Sequence, residues 1–371
     1  MATLVAHGTT YVAHGLSGHA NDALPPLTWH TTITQWQFDA GITTGLVVAA
    51  VVYLYGVCRV WSAHRARPWP LTRTSSFLLG LFVVAFATQG SVGAYDDVLF
   101  YMHMWQHLLL IMVAPPLLLV GRPVSLLLHA SKNPLHTWVK RAVRSKLAAA
   151  LTFPLVGVAL YIVVVVGTHL TGFMNVTLTN DTVHYTEHAL YLVAGYLYFL
   201  PLVGREPIKW KLSFPAQLFL LFLAMPVDTF TGVVLMQADH PLFPAYEGRR
   251  DWGPSVLYDL HAGGAVMWIA GDGIMFLIIL ALAVRAAREG VQLTAGRWLE
   301  GVRRRRFDEL ATSEVGIGGV GSDVAADADA LSAAAREASV VDDDDETRLA
   351  AYNEYLARLN GGPGSPAGSA P

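Results

Sequence analysis

Seven predominantly apolar runs, near 41–61, 75–95, 99–121, 147–168, 184–204, 213–236 and 256–284, dictate what this chain can fold into. Each is long enough to cross about 30 Å of hydrocarbon at about 1.5 Å per helical residue. The pattern predicts an all-α, polytopic integral membrane protein, a seven-helix transmembrane bundle occupying 41–285. Composition agrees, with 53% hydrophobic and 14% charged residues, where a soluble domain carries about a quarter charged. The bilayer is therefore the first partner, and nothing in the charge pattern calls for nucleic acid.

Basic residues orient the bundle. The connections after the first, third and fifth runs hold Arg59, Arg65, Arg67 and Arg73; Arg122, Lys132, Lys140, Arg141, Arg144 and Lys146; and Arg205, Lys209 and Lys211. Arg285, Arg288, Arg297 and Arg303 to Arg306 follow the seventh, while the opposite side has only Arg249 and Arg250. By the positive-inside rule the N-terminus is expected outside and the C-terminus in the cytoplasm. Segment 1–40 has no leading apolar run, so the first span is expected to start insertion itself. Its His7, His14, His19 and His30 read as part of a polar leader, with a metal-collecting segment as the alternative. Residues 286–371 read as a largely disordered acidic tail. Within it, "DDETRLAAYNEYLARLN" spaces Leu349, Tyr352, Leu356 and Leu359 as a short amphipathic helix, either a docking helix or a solvated one. The lone Cys58 excludes a disulfide framework and any CxxC site.

The expected topology sorts the fourteen histidines. His103 and His107 fall at the outer end of the third span, His184 and His188 at that of the fifth, His169 closes the fourth, and His261 opens the seventh. His240 lies in an outer loop, and His64, His129 and His136 lie on the cytoplasmic side. Residues i and i+4 share a helix face, so each HxxxH pair can present two imidazoles to one point. Met104 borders that face and Met102 turns away from it. Imidazole with thioether suits a soft ion, above all Cu(I). Carboxylate-rich sites of the kind Mg or Ca needs are not expected. The competing reading is that membrane-boundary histidines hydrogen-bond between helices or reach toward headgroups. Two pairs on different helices, level with His169 and His261, favour a ligand set.

Other residues shape that region. Pro115 and Pro116 remove backbone donors and predict a kink about two turns below His107, and Pro154 and Pro226 repeat the device. Asp228, Asp259 and Asp272 are carboxylates at membrane depth, which mark a cavity, an ion path or a specific partner. His261 and Asp272, eleven residues apart, are expected on one face. Gly263 and Gly264 permit close helix approach.

With these motifs in hand, the sequence resembles the polytopic CtaG family, assembly factors for caa3-type cytochrome c oxidase. The family's HxxxHLLL, double proline and GxP match His103, His107, Pro115, Pro116, Gly121 and Pro123. Its H-x-x-E-H with a later glycine and proline matches His184, Glu187, His188, Gly195 and Pro201. His169 matches the histidine closing the fourth span, and Asp259, Gly263, Gly264, Met267 and Trp268 match the seventh-span pattern. The resemblance covers about 40–290. Tyr198-Phe199 stands where the family tends to tryptophans, and Leu260 where glutamine is common.

The resemblance implies a non-enzymatic factor of a bacterial plasma membrane that handles copper on the outer side while a haem-copper oxidase matures. Its partners would be oxidase subunits and an extracytoplasmic copper chaperone. Two alternatives stay open: a b-type cytochrome with bis-histidine haem, and a copper transporter stepping the ion along Met225, Met236 and Asp228. No span contains a lysine for a retinal-type receptor, and no Ser-His-Asp or HExxH arrangement supports a hydrolase.

Overall fold

The apolar runs form helices, and no strand occurs among the described residues, 24–63 and 68–288 of this computed structural model. His7, His14, His19, His64 and the tail helix around Leu349 to Leu359 lie outside the described residues. Two units are distinguished, Met1–Ala283 and Val284–Pro371, and every side chain of the site described below lies in the first.

In chain order the helices are α1 (Trp29–Thr34), α2 (Ala40–Ala63), α3 (Leu71–Gln89), α4 (Ser91–Tyr95) and α5 (Phe100–Leu108). A π-helical turn, Leu109–Val113, leads into α6 (Ala114–Val120), followed by α7 (Pro123–Ala130), α8 (Leu135–Val143) and α9 (Lys146–Leu151). Then come α10 (Pro154–His169), α11 (Phe173–Thr177), α12 (Asp181–Phe199), α13 (Phe214–Met236) and α14 (Val256–Ala265), which continues through a second π turn, Val266–Ala270.

Among the described residues, five helices are long and apolar enough to cross a membrane: Ala40–Ala63, Leu71–Tyr95, Phe100–Ala130, Phe214–Met236 and Val256–Arg288. The protein is thus a multi-pass membrane protein. The fourth and fifth expected spans are also helical but fall short of that standard. α10 is apolar but only 16 residues long, and α12 gives positions to Asp181, His184, Glu187 and His188. The surface suits hydrocarbon. Val51 and Tyr55 on α2, Phe219 and Phe222 on α13, and Phe276 and Leu277 on the last helix are each more than half exposed. So large an apolar girdle would be an aggregation surface in water.

The broken helix Phe100–Ala130 is central. α5 packs on α14, the π turn and α6 pack on α12, and α6 also packs on α3. The break has a local cause: Pro115 and Pro116 supply no amide hydrogen at the start of α6, so the ladder opens into the wide turn just before them. The Ile111 carbonyl is thereby pressed against α12 at Gly195, where any Cβ would collide with it. α13 and α14 also meet backbone to backbone, since a Cβ on Gly232 would lie 2.6 Å from the Gly264 carbonyl and the reverse is equally close. These approaches set the distance at which side chains from α5 and α12 face each other.

Gly195→Ala is therefore expected to destabilise the protein by about 1–3 kcal/mol, the usual cost of overpacking. Thermal unfolding in detergent measures this, and an unchanged midpoint would mean that α12 can back away freely.

Candidate metal centre

Two helix faces converge beyond the π turn. On α12, His184, Glu187, His188 and Tyr191 follow at three- and four-residue spacing and so line one stripe. The helix starts cleanly before them, because the Asn180 side chain accepts from the amides of Thr182 and Val183. On α5, His103, Gln106 and His107 form the facing stripe. α5 has no cap of its own. Instead Asp259, from α14, accepts from Phe100 N at 2.9 Å and Tyr101 N at 3.1 Å. Arg250 holds the same carboxylate at 3.1 Å.

Glu187 lies between the two α5 imidazoles. Its Oε2 is 3.4 Å from His103 Nε2 and its Oε1 3.4 Å from His107 Nε2, with Glu187 and His103 both 0% exposed. On the far side of His107, Nδ1 meets His169 Nε2 at 3.2 Å, and that nitrogen lies 3.1 Å from Met104 Sδ. Tyr191 stacks on the His107 ring, with centroids 3.8 Å apart, and bonds Thr168 Oγ1 at 2.6 Å. Toward the end of the bundle, His184 Nε2 faces Asp96 Oδ2 at 3.4 Å and Nδ1 faces Asp97 Oδ1 at 3.7 Å.

The network assigns the protons. The Val165 carbonyl only accepts, so His169 Nδ1 donates to it at 2.8 Å and Nε2 is left with a lone pair. His107 Nδ1–H donates to that lone pair. In a neutral imidazole, His107 Nε2 is then also a lone pair, and it faces a carboxylate oxygen. Positive charge must sit between them, as a proton or as a metal ion.

The spacing favours the ion. A charge-assisted N–H···O bond runs about 2.7–2.9 Å, whereas two donors about 2.0–2.1 Å from a tetrahedral ion stand roughly 3.4 Å apart. Both ring nitrogens of His103, Nε2 of His107 and both oxygens of Glu187 are buried without a hydrogen-bond partner, although the ion-pair distances are short. Each such orphan costs about 1–3 kcal/mol, so five at one point form a set that could hold a ligand. The donor atoms of His103, His107 and Glu187 all lie within 4.8 Å of one another, as do those of Asp96, His103 and His184.

His188 stands beside the cluster. Its Nε2–H donates to Gln106 Oε1 at 2.9 Å, leaving Nδ1 buried and unpartnered. Gln106 in turn donates to Asp96 Oδ2 at 2.5 Å and to the Ala87 carbonyl at 3.0 Å. Burial alone would raise the Asp96 carboxyl, but the facing His184 holds it below its ordinary value. Burial, with the Asp96 charge beside it, pushes Asp97 up.

Of the residues expected from the sequence, His103, His107, His169, His184, His188 and Met104 are thus brought together. His261 is elsewhere, its Nε2 on the Ala238 carbonyl at 2.9 Å. Asp259 is the cap of α5. Asp228 accepts from Tyr161 OH at 2.7 Å, and Asp272 from Thr229 Oγ1 at 2.9 Å, both outside the cluster. The sequence points to a ligand set of histidines and Met104, without a carboxylate-rich site, whereas in the structure Glu187 lies at the centre of the cluster and Asp96 adjoins it. Glu187 was visible as the acid of H-x-x-E-H, three residues from His184 on one face. Asp96 lies in a turn before α5, where sequence spacing gives no sign of what it meets.

The family model of the cytochrome c oxidase caa3 assembly factor (Caa3_CtaG) matches residues 51–289. The chain belongs to the caa3-type cytochrome c oxidase assembly factor family. Both α5 and α12 lie inside the matched range. Among relatives of this Caa3_CtaG chain are uncharacterized proteins of Mycobacterium bovis and Mycobacterium tuberculosis, each 27% identical over 273 residues. An uncharacterized protein of Mycobacterium leprae is 28% identical over 266 residues. The match covers 71%, 71% and 69% of this chain, but only 41%, 41% and 40% of those relatives' own lengths. No solved structure matches.

Proposed function

We propose that this chain acts, without catalysing a reaction, in the assembly of a caa3-type cytochrome c oxidase by holding a copper ion at the outer face of a bacterial plasma membrane. The copper is cargo. One observation carries the reading: His107 Nε2 and Glu187, with His103 beside them, form a dry set of donors that have no partner but one another. Imidazole and carboxylate together accept copper, zinc or iron, and the family's link to a cytochrome c oxidase supports copper among them. The bond from His107 Nδ1–H to His169 Nε2, itself fixed by its Nδ1–H on the Val165 carbonyl, is the support expected of a metal-ligating imidazole.

The oxidase is the partner this reading requires, and a copper chaperone on the outer side would be the donor. The family supports the oxidase, and the Arg/Lys asymmetry of the loops supports the orientation. The cytochrome alternative fits less well. His103 and His107 sit on one helix with rings 4.4 Å apart, and Tyr191 and Glu187 fill the space a porphyrin would need.

Purified protein is expected to carry about one copper per chain and no Soret band. Elemental analysis with an absorption spectrum decides it: a Soret band in copper-free protein would establish the cytochrome reading instead.

A further inference from the structure

We propose that Asp96, Asp97 and His184 form a loading station, which takes the copper ion from the aqueous end of the bundle and passes it inward through His103. This rests on the copper reading above and names how the ion reaches the buried centre.

Exposure falls stepwise along the donors. The side chain of Asp97 is 33% exposed and that of His184 14%, while Asp96 is nearly closed off and His103 and Glu187 are at 0%. His103 belongs to both donor groups, with Asp96 and His184 on one side and with His107 and Glu187 on the other. Its ring stacks on His184 with centroids 5.5 Å apart, and neither of its nitrogens has a hydrogen-bond partner. His184 Nε2 is likewise without one. An imidazole that is fully buried, free at both nitrogens and shared by two donor groups is suited to ligand exchange. The ion would keep His103 while it gives up Asp96 and His184 and gains His107 and Glu187. The copper keeps its valence, the proton held between His107 and Glu187 leaves as the ion enters and can be taken up by the vacated His184–Asp96 pair, and no bare ion is released into a dry interior.

Asp96 is held ready for this. Gln106 fixes one of its oxygens, and the same amide accepts from His188, so the station and the buried helix face share one hydrogen-bond chain. Because an ion on either side takes His103 from the other, the two groups work in turn.

The test uses the full-length chain in detergent or nanodiscs, with copper supplied from a weak soluble chelator, as Cu(II) in air and as Cu(I) anaerobically. Copper retained after rapid gel filtration is followed over time in the wild type, in the double variant Asp96→Asn with Asp97→Asn, and in Glu187→Gln. The double variant is expected to load at least tenfold more slowly, toward a plateau that Glu187→Gln never approaches. The slowing should persist near 1 M salt, where the screening length is about 3 Å. A defect that vanishes in high salt would show electrostatic steering alone and overturn the station, as would an unchanged rate. Asp97→Asn alone, at a partly exposed side chain, guards against misfolding and should slow loading at least threefold; unchanged loading there also overturns it. If the wild type takes up no copper, the copper reading itself falls and the station with it. Copper uptake by the wild type with equal loading by the variants removes the station only.

Discussion

Glu187→Gln is expected to leave the protein folded and strip it of copper, from about one equivalent to less than a tenth of one. The carboxylate faces two imidazole nitrogens at 3.4 Å and has no hydrogen bond of its own, and an isosteric amide fills the same space and can donate to an imidazole lone pair, so the metal-free fold is kept. The ion loses a charged ligand. Removing a group that only supports a ligand costs about 10–100-fold in affinity, and loss of the ligand itself should cost more than the upper figure. The joint replacement of His103 and His107 by alanine, and that of His184 and His188, should likewise deplete copper in the oxidase. Metal analysis after chelator competition gives the first quantity, and oxidase copper content under copper limitation gives the second. Full copper retention in Glu187→Gln would make that carboxylate structural. Normal oxidase activity in both double-alanine proteins would make the histidines so.

What could be read from the sequence follows from which forces are local. Apolar runs announce helices because the hydrocarbon requirement acts on each run separately, and the HxxxH pairs announce shared faces because helical spacing fixes them. The meeting of α5 with α12 is another matter. It depends on the turn opened by Pro115 and on the bare backbone of Gly195, and the proline was legible while the contact was not. Helical spacing puts His261 and Asp272 on one face, and both turn toward α13 and its C-terminal end rather than toward the histidine cluster. His261 ends on the Ala238 carbonyl and Asp272 on Thr229. Asp228 shows the limit for single residues. A carboxylate at that depth needed a partner, but only the packing of α10 on α13 makes it Tyr161. The residues of the proposed loading station were hardest to see, since Asp96 and Asp97 belong to a turn and acquire meaning only where α12 brings His184 to them.

Asp259→Ala is expected to be the most destabilising single change away from the candidate metal centre, at about 3–5 kcal/mol. That is the range for breaking a buried ion pair from one side. Asp259 is buried and its partner Arg250 nearly so. The arginine would stay in place, because it also donates to the carbonyls of Val98, Trp252 and Pro254, and its charge would be left uncompensated. The amides of Phe100 and Tyr101 would lose their acceptor at the same time, which adds the loss of a helix cap, about 1 kcal/mol. The damage should reach function because α5 begins at those amides and carries His103, Met104 and His107 within its next two turns. Thermal unfolding in detergent gives the stability loss, and copper affinity of the protein still folded gives the positional one. Asp259→Asn separates the two contributions, since the amide oxygen keeps an acceptor for α5 but no charge for Arg250. It should recover copper affinity more fully than stability. An Asp259→Ala protein that melts with the wild type would show that α5 is held in place by its packing on α14 alone.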